Sequence, residues 1–263
     1  MNIDKTQPEK VSWPTLYPDV NAVLHELLSS VQSVLMDCFV GMYLYGSLAS
    51  GDFDPGRSDI DFLVVTSREL PKNLISDLEA MHIRIGASGL EWAVKLEGAY
   101  IPKYAMYRYD PSGPSCPMIN EGKFRVRRQG IDWVINRHIL RTNGVVITGP
   151  PLKAMIDFVE PQELRQAASD LLRNLWATWI DDSDFFSHHG YQSFAVLTMC
   201  RALYTVKYGK VASKSVSADW ARTVLDGRWS TLIEHALVWH HGDPSGDIGQ
   251  TVEFVRFAVA SVE

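Results

Sequence analysis

A chain of 263 residues with 46 % hydrophobic and 21 % charged positions has the composition of a folded globular protein, which excludes disorder, and its length leans towards two domains. The net charge of −6, from 25 basic and 31 acidic residues, is the wrong sign for general nucleic-acid binding and suits a small polar or cationic ligand. No run of about 18 apolar residues occurs and the first residues lack a signal-peptide core, so a cytoplasmic protein without membrane contact is expected. Cys38, Cys116 and Cys200 form no C-x-x-C pair and read as reduced thiols.

The first 18 residues hold three prolines and little periodicity, and are expected to lie as an arm over the surface. From Val20 to Leu35 the apolar positions follow the three-and-four spacing of an amphipathic helix. A strand is expected at about 39–45 and another at about 60–66, with Gly46-Ser47 at the turn after the first. Pro71 suits a helix start, with Leu74, Ile75 and Leu78 facing inward, and residues 91–101 read as a third strand. A loop is expected over Asp110–Pro117, a helix over Ile131–Leu140 and a short strand at Val145–Thr148.

Gly149-Pro150-Pro151 is the strongest breaker in the chain, and the domain boundary is placed there: residues 1–150, then 151–263. Beyond it only helical periodicity remains, at about 161–180, 190–208, 214–225, 229–240 and 249–262. The expected fold class is α+β: a mixed sheet with helices, followed by an all-helical bundle.

Two carboxylates carry the chemical argument. Asp59 and Asp61 are two apart on a strand, so they share a face roughly 7 Å apart. Such a pair repels unless a cation lies between its members, and a hard dication such as Mg²⁺ takes carboxylate oxygens while leaving room for phosphates. Gly46 allows close backbone approach, and Ser47 adds a hydroxyl donor twelve positions before Asp59. A third carboxylate would complete a two-metal site or take a proton from an attacking hydroxyl. Glu97, beside Gly98, is favoured over Glu91 at the strand's start.

The pattern Leu44-Tyr45-Gly46-Ser47 … Ser58-Asp59-Ile60-Asp61 followed by an apolar run resembles the polymerase β-type nucleotidyltransferases. More narrowly, the chain resembles the aminoglycoside 3″/9 adenylyltransferases, which modify streptomycin and spectinomycin. The resemblance implies an N-terminal nucleotidyltransferase domain and a helical domain. It also implies Mg²⁺ on Asp59 and Asp61, with Glu97 counted in the metal set and as general base, and ATP as co-substrate with its phosphates on Gly46 and Ser47. The segment Val196–Tyr204, with Arg201 and then Lys214 thirteen residues on, resembles the family stretch whose Arg and Lys reach the triphosphate.

One departure stands out. Where the family carries an acid about ten positions before that Arg, this chain has Tyr191 and Gln192. The earlier acids Asp181, Asp182 and Asp184 read equally well as a solvated helix end. Phe124 is a candidate for the linker aromatic that stacks on the drug. His188-His189 and His240-His241 lack the spacing of a helical zinc site. Trp176 and Trp179 are expected in the core, and Lys123, Arg125, Arg127 and Arg128 on a solvated face. The implied activity is transfer of AMP from ATP to a hydroxyl of a small cationic acceptor, by a monomer. The alternatives are AMPylation of a protein or another metabolite, and a non-catalytic nucleotide-binding module.

Overall fold

Alternating apolar runs in the first half and helical periodicity in the second build two packed regions. The computed structural model describes residues 14–180, 186, 190–240, 243 and 246–262. Residues 1–13 of the N-terminal arm, Asp181, Asp182, Asp184, His188, His189 and His241 therefore lie outside the described residues.

Six strands form one mixed sheet in the order β5-β4-β3-β2-β1-β6. They are β1 (Phe39–Leu44), β2 (Ile60–Thr66), β3 (Leu96–Pro102), β4 (Ser115–Asn120), β5 (Lys123–Arg128) and β6 (Val145–Thr148). Only the β2–β3 pair is parallel, because helix α3 (Lys72–Gly86) returns the chain between them. Helix α1 (Pro18–Leu35) packs with α3 on one sheet face, where Leu24, Leu27, Phe62, Val64, Leu78 and Tyr100 are buried. The opposite face buries Tyr43, Leu63, Val65, Ala99 and Ile101 against Trp133 and Leu140 of α4 (Asp132–Asn143). Leu152, Met155 and Ile156 pack with this second core, so the chain past Gly149-Pro150-Pro151 still serves the sheet before it turns away.

The helical region starts with α5 (Pro161–Asp170), which runs through a π-helical stretch at Leu171–Trp176 into α6 (Ala177–Trp179). Then come α7 (Tyr191–Tyr208), α8 (Lys214–Val224), α9 (Ser230–Val238) and α10 (Ile248–Ala260). The central helix is α7, touching α5, α8, α9 and α10, and its Val196, Met199, Cys200 and Leu203 fill the bundle core. Trp176 is buried there and Trp179 packs against it, as their spacing suggested. All three cysteines are free and buried.

Three expectations need correction. The strand expected over 91–101 starts only at Leu96, because Leu90 to Lys95 turn through a 3₁₀ segment that buries Trp92 and leaves Val94 exposed. Glu91 is thus off the strand and exposed. The loop expected over Asp110–Pro117 instead feeds a hairpin, β4–β5, whose two-residue turn is Glu121-Gly122. Its outer strand alternates Phe124 and Val126 with basic residues, but Val126 is exposed, and Lys123, Arg125, Arg127 and Arg128 are all exposed on the sheet edge, where basic side chains discourage pairing with another strand. Phe124 points away from any ligand role, packing against the first core with its ring 5.9 Å from that of His82.

Candidate active site

The sheet concentrates acidic groups at one end of its parallel pair. In β2 every residue is buried except Asp61, and in β3 every residue is buried except Glu97. The parallel register pairs these two directly. Both lie on the α4 face of the sheet, in line with Leu63 and Ala99 one step further in. Asp59 immediately precedes β2, and Lys95 Nζ lies 3.4 Å from its Oδ1.

The Gly-Ser turn is fastened to the same place. Tyr45 N donates to Asp61 O at 3.1 Å, carrying the β1–β2 ladder one step past the end of β1. Gly46 follows with φ +65, and a Cβ there would stand 1.9 Å from Asp61 Oδ2. Gly46 is therefore required twice, for its backbone angle and for the space that Asp61 occupies. Ser47 lies in the short helix α2 (Gly46–Ser50) that starts at this turn. By contrast, the neighbour of Gly98 is Phe62, both ring and backbone, so that glycine serves the sheet rather than a ligand.

From the helical region, Arg201 of α7 and Lys214, the first residue of α8, reach the same field. Ser213 caps α8 by accepting from Val216 N at 3.3 Å, which sets where Lys214 emerges. The Arg201 side chain is half-buried, its Nε has no hydrogen-bond partner, and its pKa is lowered by burial against the opposing pull of Asp61 and Asp52. Lys214 is exposed at the residue level but crowded by protein around its ammonium. Its pKa is lowered first by desolvation and then by Arg201, while Asp61 and Asp59 oppose the change.

The carboxylates respond to crowding in the opposite sense. Asp61 is pushed up to about 7, chiefly by burial and then by Asp59, with Lys214 and Arg201 opposing. Glu97 is pushed up to about 8 by burial, then by Asp59, Asp61 and Glu121. Asn120 Nδ2 donates to Glu97 Oε1 at 2.8 Å. At the hairpin tip Tyr191 donates its hydroxyl to Glu121 Oε1 at 2.7 Å, tying α7 to β4–β5. Arg57 adds a second tie, donating to the Leu237 carbonyl and pairing with Asp54 at 3.0 Å. His240 Nε2 lies 3.5 Å from that same Asp54.

All seven residues singled out in the sequence thus converge on one field: Gly46, Ser47, Asp59, Asp61 and Glu97 from the sheet side, Arg201 and Lys214 from the helices. The expected cage of three carboxylates is not assembled, however. Among the described residues no three His, Cys, Asp or Glu side chains stand close enough to hold a metal ion by themselves. Lys95 draws Asp59 aside and Asn120 holds Glu97. The donor set still fits Mg²⁺, which keeps several waters and is bound by one or two carboxylates together with phosphate oxygens. The unfavourable proximity of Asp59 and Asp61 is what such an ion would relieve. Asn120, Glu121 and Lys95 were missed in the sequence. The hairpin that brings the first two in was signalled by Glu121-Gly122 and by the alternation of Phe124 and Val126 after it.

Both halves of the chain are similar to known proteins. The family described as "Nucleotidyltransferase domain" matches residues 35–109, and "Aminoglycoside adenylyltransferase, C-terminal domain" matches residues 154–261; together they span more than half of the chain. An aminoglycoside (3″) (9) adenylyltransferase of Escherichia coli is 27 % identical over 262 residues, covering 93 % of this chain and 95 % of that protein. A spectinomycin 9-adenylyltransferase of Campylobacter jejuni is 25 % identical over 250 residues, covering 91 % and 92 %. The crystal structure of the spectinomycin adenyltransferase AAD(9) from Enterococcus faecialis, with ATP and spectinomycin, superposes with a TM-score of 0.73 at 20 % identity. It covers 91 % of this chain and 99 % of that one, and shares the fold. With both halves matched in order and the acidic and basic residues gathered at one site, the chain is a nucleotidyltransferase and belongs to the aminoglycoside 3″/9 adenylyltransferase family.

Proposed function

We propose that this enzyme transfers AMP from ATP to a hydroxyl of a small cationic acceptor of the aminoglycoside or aminocyclitol class. The observation that carries the reading is the meeting of Asp61 and Glu97 in register with two cations, Arg201 and Lys214, from the helical half. ATP would lie between residues 1–150 and 151–263. Gly46 leaves room for phosphate, Ser47 supplies a hydroxyl donor, and the unpartnered Arg201 Nε and the Lys214 ammonium neutralise the triphosphate. Asp59 and Asp61 would hold Mg²⁺, which when bound supplies charge neutralisation on the transferring phosphoryl group.

Glu97 takes the proton of the acceptor hydroxyl, the freed oxygen bonds to the α-phosphorus, and pyrophosphate leaves with the electron pair of the broken bond. For Glu97 to act it must be ionised, and the cations brought in by substrates favour that form over the one the crowded, ligand-free site prefers. Glu121, close enough to raise the Glu97 pKa, puts a further anion on that side and favours a cationic acceptor over a neutral metabolite. The long helical half supports a small-molecule acceptor over a protein one.

Pyrophosphate release from ATP and Mg²⁺, screened against streptomycin, spectinomycin and unrelated aminoglycosides, tests the assignment. Acceptor-dependent release is expected, with Asp61→Asn and Glu97→Gln each reducing it about a hundredfold or more while melting as folded proteins. Nucleotide binding without release in the presence of any of these acceptors would instead identify a binding module.

A further inference from the structure

The base assigned to Glu97 does not stand alone. The β4–β5 hairpin lies beside it in the sheet, and the two adjacent residues where β4 enters its turn divide the work. Asn120 Nδ2 donates to Glu97 Oε1 at 2.8 Å, while the adjacent Glu121 accepts the Tyr191 hydroxyl at 2.7 Å from the first turn of α7. Glu121 adopts φ +49, a left-handed conformation that a bulky residue takes only under constraint, and Gly122 follows at φ +69. A two-residue turn of this kind more commonly starts with Asn or Gly. The carboxylate at this position is thus kept at a backbone cost, and its described partner is the helical region's tyrosine.

We propose that Asn120 is a positioning residue for Glu97, and that Tyr191, through Glu121, fixes the hairpin so that the base is aligned only when the helical region is docked. With one carboxylate oxygen of Glu97 engaged by the Asn120 amide, the other is left to accept the proton of the acceptor hydroxyl. Asn120 acts through Glu97, and the Tyr191–Glu121 bond joins the helical region to the same hairpin. The inference rests on the role given to Glu97 above.

The test is steady-state AMP transfer with radiolabelled ATP by the full chain, comparing wild type, Asn120→Ala, Tyr191→Phe, Glu97→Gln and the double variant Asn120→Ala/Glu97→Gln. Asn120→Ala is expected to lower kcat about tenfold with KM for ATP within about twofold, and Tyr191→Phe to lower kcat severalfold in the same way. In the Glu97→Gln background Asn120→Ala should cause no further loss, since the group it positions no longer accepts a proton. An unchanged kcat in Asn120→Ala, or a further tenfold loss in the double variant, overturns the positioning role while leaving Glu97 as base. Full activity of Glu97→Gln overturns the base itself, and the inference with it.

Discussion

Asp61 and Glu97 are register partners across the parallel β2–β3 pair, and each is the one residue of its strand that is not buried. Strands lie about 4.8 Å apart, so two carboxylates share a surface in a largely enclosed place. A sheet interior would not tolerate this without a cation, and its consequences are measurable.

Stability of the ligand-free protein should depend on pH through this pair. Their pKa values rise to about 7 and about 8 from 3.8 and 4.5, so the folded state binds these protons more tightly than the unfolded chain does. That stabilisation is complete below the unfolded values and is lost as pH climbs through the folded ones. The melting temperature of wild type should fall between about pH 5 and about pH 8 by more than that of the Asp61→Asn/Glu97→Gln double variant. Mg²⁺ with nucleotide should reverse the fall in wild type alone. Parallel melting curves for the two proteins would count against the pair's coupling.

Gly46→Ala should be far more harmful than its size suggests. The new Cβ would stand 1.9 Å from Asp61 Oδ2 at a φ of +65. The left-handed angle alone costs about 1–2 kcal/mol for a residue with a side chain. Relief of the contact must move Asp61, so turnover is expected to drop about a hundredfold while the melting temperature falls only modestly. Differential scanning calorimetry beside the AMP-transfer assay separates the two effects, and near-normal turnover would show that the turn has room to relax.

Lys214→Met and Arg201→Met should act on nucleotide binding first. Each removes a cation opposed to the rise of the Asp61 pKa. A charge-assisted contact to phosphate is worth about 1.5–3 kcal/mol, so KM for ATP should rise about tenfold or more in each. In either variant Asp61 holds its proton to still higher pH, and more so in Lys214→Met, whose ammonium opposes that rise more than the guanidinium does. Isothermal titration with ATP and Mg²⁺ measures the loss, and unaltered affinity in Lys214→Met would remove that lysine from the triphosphate site.

His82 gives an acid limb of the opposite sign. Buried beneath the sheet with Nε2 2.7 Å from the Tyr100 hydroxyl, it has its pKa lowered by burial to about 4 from 6.5. A depressed histidine contributes stability above 6.5 that is lost as pH falls towards 4. His82→Phe should flatten that limb in urea denaturation. At neutral pH it should cost about 1–3 kcal/mol, because the Tyr100 hydroxyl is left buried without its partner.

Much of the fold was legible before any coordinates. The Val20–Leu35 helix, the first two strands and the bundle helices declare themselves through long apolar periodicity, where burial of a continuous face dominates the free energy. The β4–β5 hairpin did not, since the Pro, Ser and Gly positions leading into β4 read as a loop and β5 offers only Phe124 and Val126 as alternating apolar residues on an exposed edge. The late start of β3 was hidden for a related reason. Trp92 and Val94 alternate like strand residues, but the turn that buries the tryptophan leaves the valine in solvent.

The local chemistry was already written in the chain: an Asp pair two apart before an apolar strand, a Gly-Ser turn twelve residues earlier, and an Arg and Lys on consecutive helices. Spacing along one strand or one turn is determined by covalent geometry, so the Asp pair and the Gly-Ser turn could be read as a phosphate-handling set, while Arg201 and Lys214 joined it only through the family resemblance. What stands beside them came only with the tertiary structure. The parallel register that sets Glu97 against Asp61, the hairpin that sets Asn120 beside that glutamate, and the Tyr191–Glu121 bond to the helices all join residues 23 to 70 positions apart. Such contacts depend on how whole faces pack, and no local pattern of side chains encodes that.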